Sequence, residues 1–325
     1  MNVVRLALLA MTLVLNTTHA QDFLPSHLIA LENRFAHHVL LVEKSTHTLF
    51  VYENKEGFPH LVKSFKIASG KNKGDKFKEG DRKTPEGIYS LNNFFSDEIL
   101  KQRHGDMAKM YGAGAFTTDY PNLIDQRLGK TGSGIWLHST DDATRIDKGL
   151  DSRGCVVVND IDLKSVALYL DLPHTPMIIV QDITYLSRKS WEKSRNELMS
   201  TIEGWANAWK GKRFDDYISY YHQTEFKDRS RGGFQAYRTY KQAVFSRQDN
   251  PRITIDSISI LYAENYAVVT LRQDYRSTVI NDTGKKTLYL KQDENYDWKI
   301  VAEIWQQYPD DANVAFTPSA RFFKE

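Results

Sequence analysis

The chain reads as two domains in series: a mostly β first domain, then an α+β domain of helices followed by a curved antiparallel sheet. Three observations predict this. Residues 38–181 alternate short β-branched and aromatic runs with glycines and other turn residues. From residue 190 the pattern changes: Trp191, Leu198, Ile202, Trp205 and Trp209 are spaced by 7, 4, 3 and 4, which puts them on one helical face. Beyond residue 252 strand-like segments return, and helices first with strands afterwards mark a separate α+β unit.

Taken in order, residues 1–20 have the form of an export signal. Arg5 precedes an apolar run too short to cross a bilayer, and Thr18 and Ala20 put small residues where a signal peptidase cuts, before Gln21. A soluble mature chain of about 305 residues is expected, with no stable membrane insertion after cleavage. Its net charge would fall from +2 to about +1, which argues against nucleic acid or another polyanion as partner. Residues 21–37 are expected to be helical, with Leu28, Leu31 and Phe35 on one side. Residues 38–42 and 48–52 form a hairpin and 61–68 a further strand. Residues 71–83, charged and glycine-punctuated, read as a mobile, solvated surface loop rather than a lid over a cleft.

Thr84-Pro85-Glu86-Gly87-Ile88-Tyr89 makes a defined bend into a strand that continues through Leu91. Residues 97–134 read as a loop-rich insertion around a site, and 135–137 as a strand that delivers His138 at its end. A strand at 156–158 leads to Asn159, a good N-cap for a helix over 161–170, and 177–181 supplies the last strand of a first domain spanning 38–185. A linker helix is placed at 186–199. The second domain, 200–308, is given helices around 214–221 and 233–245 and strands at 252–261, 266–278, 286–292 and 298–305, with turns at 281–284 and 294–297. The tail, 309–325, is polar and expected to be loosely held.

Cys155 is the only cysteine. It cannot form an intramolecular disulfide, and one thiol cannot build a cysteine zinc site, so it is either an inert buried thiol or a nucleophile with a histidine partner. Ser152-Arg153-Gly154-Cys155 favours the nucleophile: the glycine lets a carbonyl approach the backbone, and Arg153 adds positive charge that favours thiolate or holds a substrate carboxylate. His138, within Trp136-Leu137-His138-Ser139, is the candidate partner, and such a pair is expected to lower the thiol pKa strongly. Ten histidines are present, but none has metal-ligand spacing, so no metal or other cofactor is expected.

Thr84-Pro85-x-Gly87-x-Tyr89, His138-Ser139 and Ser152-x-Gly154-Cys155, in this order and spacing, resemble the L,D-transpeptidase (YkuD-like) catalytic domain over residues 38–181. The resemblance implies a mostly β, sandwich-like domain with Cys155 as nucleophile and His138 as its proton partner. It implies that Ser139 or its carbonyl orients the imidazole and that the Gly154 and Cys155 amides form the oxyanion hole, with Ser152, Arg153 and Trp136 beside the substrate. The family's usual Ser-His-Gly-Cys is Ser152-Arg153-Gly154-Cys155 here, and Val157 replaces the arginine often found two residues after the cysteine. Both departures put the family's usual substrate contacts in doubt.

The implied substrate is a peptidoglycan tetrapeptide stem in the periplasm of a Gram-negative cell. Attack at the third residue expels the terminal D-alanine, and the thioester is resolved by water, giving a tripeptide, or by an amine, giving a 3–3 crosslink or a lipoprotein anchor. Residues from 200 onward resemble an NTF2-like domain by patterning. Such domains have a cone-shaped pocket and can bind ligands or mediate dimers, so a homodimer or a wall-protein partner through this domain is implied. Tyr217, Tyr220, Tyr221, Tyr237 and Tyr240 are read as core more than as pocket lining. The two-domain combination resembles cell-shape L,D-carboxypeptidases of curved and helical bacteria, which favours hydrolysis over crosslinking. A non-catalytic wall-binding scaffold is the reading from another class, and the Cys155–His138 pair argues against it.

Overall fold

The computed structural model describes residues 23–247, 250–278, 280–308 and 316–323. The export segment, 1–20, and residues 309–315 of the tail lie outside them. Eight strands form the first sheet, in the spatial order Val156–Asn159, Trp136–Thr140, Gly114–Thr118, Gly87–Ser96, Pro176–Val180, His38–Glu43, Thr48–Lys55 and Phe58–Lys66. The expected hairpin is present, with Leu40 opposite Val51.

The central strands read as near-continuous apolar runs because both faces are covered. Side chains alternate across a strand, so Leu40, Val42, Met177 and Ile179 enter the core of the first domain. Val39, Leu41, Ile178 and Val180 point the other way, into a second core shared with Leu261, Tyr266, Val268, Tyr289 and Val301 of the second domain. The two domains are therefore joined by a continuous apolar core.

The second sheet has the order Trp298–Gln307, Asn281–Gln292, Tyr266–Arg276, Arg252–Ala263 and Leu28–Ala30. Its edge strand corrects the expected N-terminal helix: Phe23–Pro25 pairs with Tyr185–Ser187, and Leu28–Ala30 extends the second sheet. The spacing of Leu28, Leu31 and Phe35 is compatible with a helix, but backbone pairing to an exposed sheet edge and a hydrogen bond from Trp191 Nε1 to the Leu28 carbonyl (3.1 Å) fix the extended form. The linker helix is not separate. One helix, Arg188–Lys210, runs through residue 200, is capped by Ser187 and buries Trp191, Leu198, Ile202, Trp205 and Trp209 as the spacing predicts.

Other expectations shift locally. Residues 281–284 belong to the strand Asn281–Gln292, pairing with Arg276 to Gln273 across it, so the chain turns before residue 281. The insertion at 97–134 carries the helices Asp97–His104 and Leu123–Arg127, a 3-10 segment Gly105–Tyr111 and a sheet strand. The described part of the tail is anchored on the first domain: Phe316 stacks on His37, Arg321 Nη1 donates to the Leu170 carbonyl (3.0 Å), and Phe322 and Phe323 pack on Phe94. Tyr217, Tyr221 and Tyr237 are buried in the second domain's core, where Tyr221 and Tyr237 direct their hydroxyls at Glu303. Among the described residues, no helix is long and apolar enough to cross a membrane.

Candidate active site

His138 lies within the strand Trp136–Thr140 rather than at its end, and the strand Val156–Asn159 pairs with it in parallel, Val157 beside His138. This register brings Cys155, immediately before its strand, to the same end of the sheet. Both line a cleft of about 720 Å³ with Lys71, Lys76, Arg82, Tyr111, Arg145 and Arg153 among its walls.

Gly154 shapes the cysteine loop. Its φ of +131° is in a region that side chains rarely adopt, and a Cβ there would lie 2.8 Å from the Lys83 carbonyl oxygen. Ser152 staples the loop: its buried Oγ accepts from Gly154 N at 3.0 Å and donates to the Cys155 carbonyl at 2.6 Å. The Gly154 amide, expected in an oxyanion hole, donates to Ser152 Oγ in this structure. The Cys155 thiol is half-buried and donates to the Gly134 carbonyl at 3.4 Å.

His138 is buried, and its Nδ1 donates to the Ser139 carbonyl at 2.8 Å, so Nε2 carries the lone pair. The carbonyl of Ser139 orients the ring. The Ser139 hydroxyl instead accepts from Ala113 N at 2.8 Å, tying the end of the 3-10 segment to the histidine strand. Tyr111, from that segment, packs edge-on against His138 with ring centroids 5.1 Å apart. Trp136, expected beside the substrate, is not among the residues that line the cleft; its ring packs edge-on against Phe95 and tilted against His104 and Tyr111.

Burial pushes the thiol up to about 11, against the opposing pull of the Trp136 N–H, Arg145 and Lys76. Burial likewise lowers His138 to about 4, although its bond to Ser139 acts the other way. The resting pair is therefore neutral thiol and neutral imidazole. Burial, the largest cause at each group, thus acts against the expected thiolate. The cations acting on the thiol are also not the neighbour in sequence, Arg153, but Arg145 and Lys76.

Arg145 Nε binds Asp151 at 2.7 Å and its Nη1 donates to the Met110 carbonyl at 3.1 Å. Lys76, nearly fully buried, pairs with Asp81 at 2.9 Å. Although burial pushes Asp81 up, Lys76 and the N–H groups of Lys78, Phe77 and Lys83 hold it down to about 2. Residues 71–83 thus line one side of the cleft, with Lys76 buried, while Lys71, Asn72, Lys73, Lys78, Glu79 and Arg82 stay exposed, as expected of a solvated surface loop. No spacing in the sequence pointed to Lys76, Tyr111 or Arg145. Lys71, Arg82 and Arg153 line the same cleft, and among the described residues their side chains have no hydrogen-bonding or ion-pair partner.

A mostly-strand domain that sets a histidine strand beside a glycine-cysteine loop, joined to a helix-then-sheet domain, defines an L,D-transpeptidase-type protein with an NTF2-like extension, and the chain belongs to that family. Residues 37–179 match the L,D-transpeptidase catalytic domain, YkuD, and residues 197–304 match the Cds6 C-terminal NTF2-like domain. Among solved structures the chain is similar to Bd1075 of Bdellovibrio bacteriovorus, with 31% identity over 89% of this chain and 100% of that one and a TM-score of 0.77. It is also similar to the helical cell shape determining protein Pgp2 from Campylobacter jejuni, with 27% identity over 86% of this chain and 95% of that one and a TM-score of 0.68. No curated protein sequence matches it.

Proposed function

We propose that the protein is a periplasmic L,D-carboxypeptidase that trims peptidoglycan tetrapeptide stems to tripeptides and thereby affects cell shape. The observation that carries the reading is one cleft holding Cys155, His138 and three cations free of ion pairs, Lys71, Arg82 and Arg153. A stem peptide is rich in carboxylates, and such cations suit them. The likeness to a helical cell shape determining protein supports the same direction.

In this reading His138 Nε2 takes the thiol proton as Sγ attacks the carbonyl of the third stem residue. The C–N bond to D-alanine breaks, the proton passes to the departing amine, and Cys155 is left as a thioester. The Cys155 N–H is the backbone donor assigned to the developing oxyanion. Water, deprotonated by His138, then releases the tripeptide and restores the thiol. Because both groups rest neutral, the proton moves during attack rather than before it.

Incubation with disaccharide-tetrapeptide, with and without an acceptor amine, followed by mass spectrometry, tests this. Free D-alanine and tripeptide without crosslinked dimer are expected. A 3–3 dimer would make the enzyme a transpeptidase, and activity surviving Cys155→Ala would overturn the mechanism.

A further inference from the structure

The Thr84-Pro85-Glu86-Gly87 bend is clamped between the cysteine loop and the second domain. On one side, the Lys83 carbonyl backs Gly154, and Thr84 Oγ1 accepts from Gly70 N at 2.8 Å. On the other side lies the turn between the strands Arg252–Ala263 and Tyr266–Arg276. The buried Tyr266 hydroxyl accepts from Ile88 N at 2.9 Å, and Asn122 Nδ2 donates to the Ile88 carbonyl at 2.9 Å. Glu264, held at a φ of +47°, has its carboxyl beside that of Glu86, which raises its affinity for a proton.

Glu86 is also the anchor of the cleft wall. Lys44, buried, donates to Glu86 Oε1 at 2.6 Å, to the Gly74 carbonyl at 2.8 Å and to the Thr84 carbonyl at 3.1 Å, so one ammonium ties Gly74 within the 71–83 segment to the bend that follows it. Glu86 N donates to Asp75 at 2.8 Å, and Lys130 bridges Asp75 at 2.6 Å and Asp125 at 2.8 Å.

We propose that the second domain's turn carrying Glu264 and Tyr266 is a positioning element for the catalytic cleft: by holding Ile88 and lying beside Glu86 it sets the Lys83–Thr84 backbone against Gly154 and Cys155. The proposal rests on Cys155 being the nucleophile. It gives the second domain a part in the reaction in addition to any ligand of its own.

Two carboxyl groups side by side hold a proton more tightly than either alone. The groups facing Glu264 are Glu86, Asp75, Lys130 and Tyr262, with Lys44 and Asp125 one contact further. While Glu264 is protonated, three carboxylates face two ammoniums; its ionisation adds a fourth negative charge beside Glu86. Glu86, then burial, push Glu264 up to about 7. Rising pH through that value is therefore expected to loosen the bend, whereas glutamine at this position keeps a neutral donor throughout.

The test uses the whole protein and follows D-alanine release from disaccharide-tetrapeptide from about pH 5.5 to 8.5. The ratio of kcat in Glu264→Gln to kcat in the parent is expected to rise at least about threefold across this range, the titration of Cys155 and His138 cancelling in the ratio. Tyr266→Phe is expected to lower kcat about tenfold with KM within about twofold, because a misplaced backbone degrades alignment more than binding. A flat ratio for Glu264→Gln overturns the proposal, and that variant decides alone if Tyr266→Phe fails to fold. If the parent releases no D-alanine, the proposed function falls. The same ratio is then read from iodoacetamide alkylation of Cys155, where a rise supports positioning and a flat profile refutes it.

Discussion

Alkylation of Cys155 as a function of pH distinguishes a neutral resting pair from a preformed thiolate–imidazolium pair. With the thiol held at about 11 by burial, only about one molecule in ten thousand carries thiolate at pH 7. Since His138 sits at about 4, it is already neutral above pH 5 and cannot supply a positive charge to stabilise that thiolate. The alkylation rate with iodoacetamide is therefore expected to climb about tenfold per pH unit from about pH 6 to about pH 10 without a plateau. His138→Ala should leave this profile within about threefold of the parent while lowering D-alanine release by about 10²–10⁴. The thiol is the only one in the chain, so labelling reports on it alone. A plateau near neutrality that disappears in His138→Ala would refute the reasoning, because it would show that the ion pair exists at rest.

Two further outcomes follow from buried partners. Ser152→Ala strands the Gly154 N–H and the Cys155 carbonyl; a loss of about 1–3 kcal/mol in urea unfolding and a tenfold or greater fall in turnover are expected, and an unchanged enzyme would show that the loop holds without its staple. Glu303→Gln removes the partner of Lys286, 3.2 Å away, and should destabilise the protein by about 3 kcal/mol at pH 7. Although burial pushes Glu303 up, Lys286, Lys241 and Tyr237 hold it down to about 2. Its contribution is thus present above the unfolded value near 4.5 and lost as pH falls toward about 2, and the gap between parent and variant in urea melts should close over that window.

How far the residues alone reach depends on whether the signal is local. The hairpin at 38–52, the Trp191–Trp209 face and the Asn159 cap are set by alternation, helical spacing and a side-chain bond three residues away, and each is present. Where a distant partner decides, local pattern misleads. Residues 24–36 can be drawn as a helix until the open edge of the second sheet offers Leu28–Ala30 its backbone bonds. Residues 71–83 are largely exposed, as their charge suggests, and only the contacts of Lys44 with Gly74 and of Lys76 with Asp81 show that they also line the cleft. Tail residues 316–323 look loosely held until Phe322 and Phe323 meet Phe94.

The cleft divides in the same way. Residue type made Cys155 and His138 candidates, and the resemblance of the motifs around Thr84, His138 and Cys155 to the L,D-transpeptidase domain singled them out together with Gly154 and Ser152. Their protonation state was decided only by tertiary structure, since burial is a property of everything packed around a group and not of its neighbours in sequence. For the same reason Arg145, Lys76 and Tyr111 became visible only once the strands at residues 136 and 156 lay side by side.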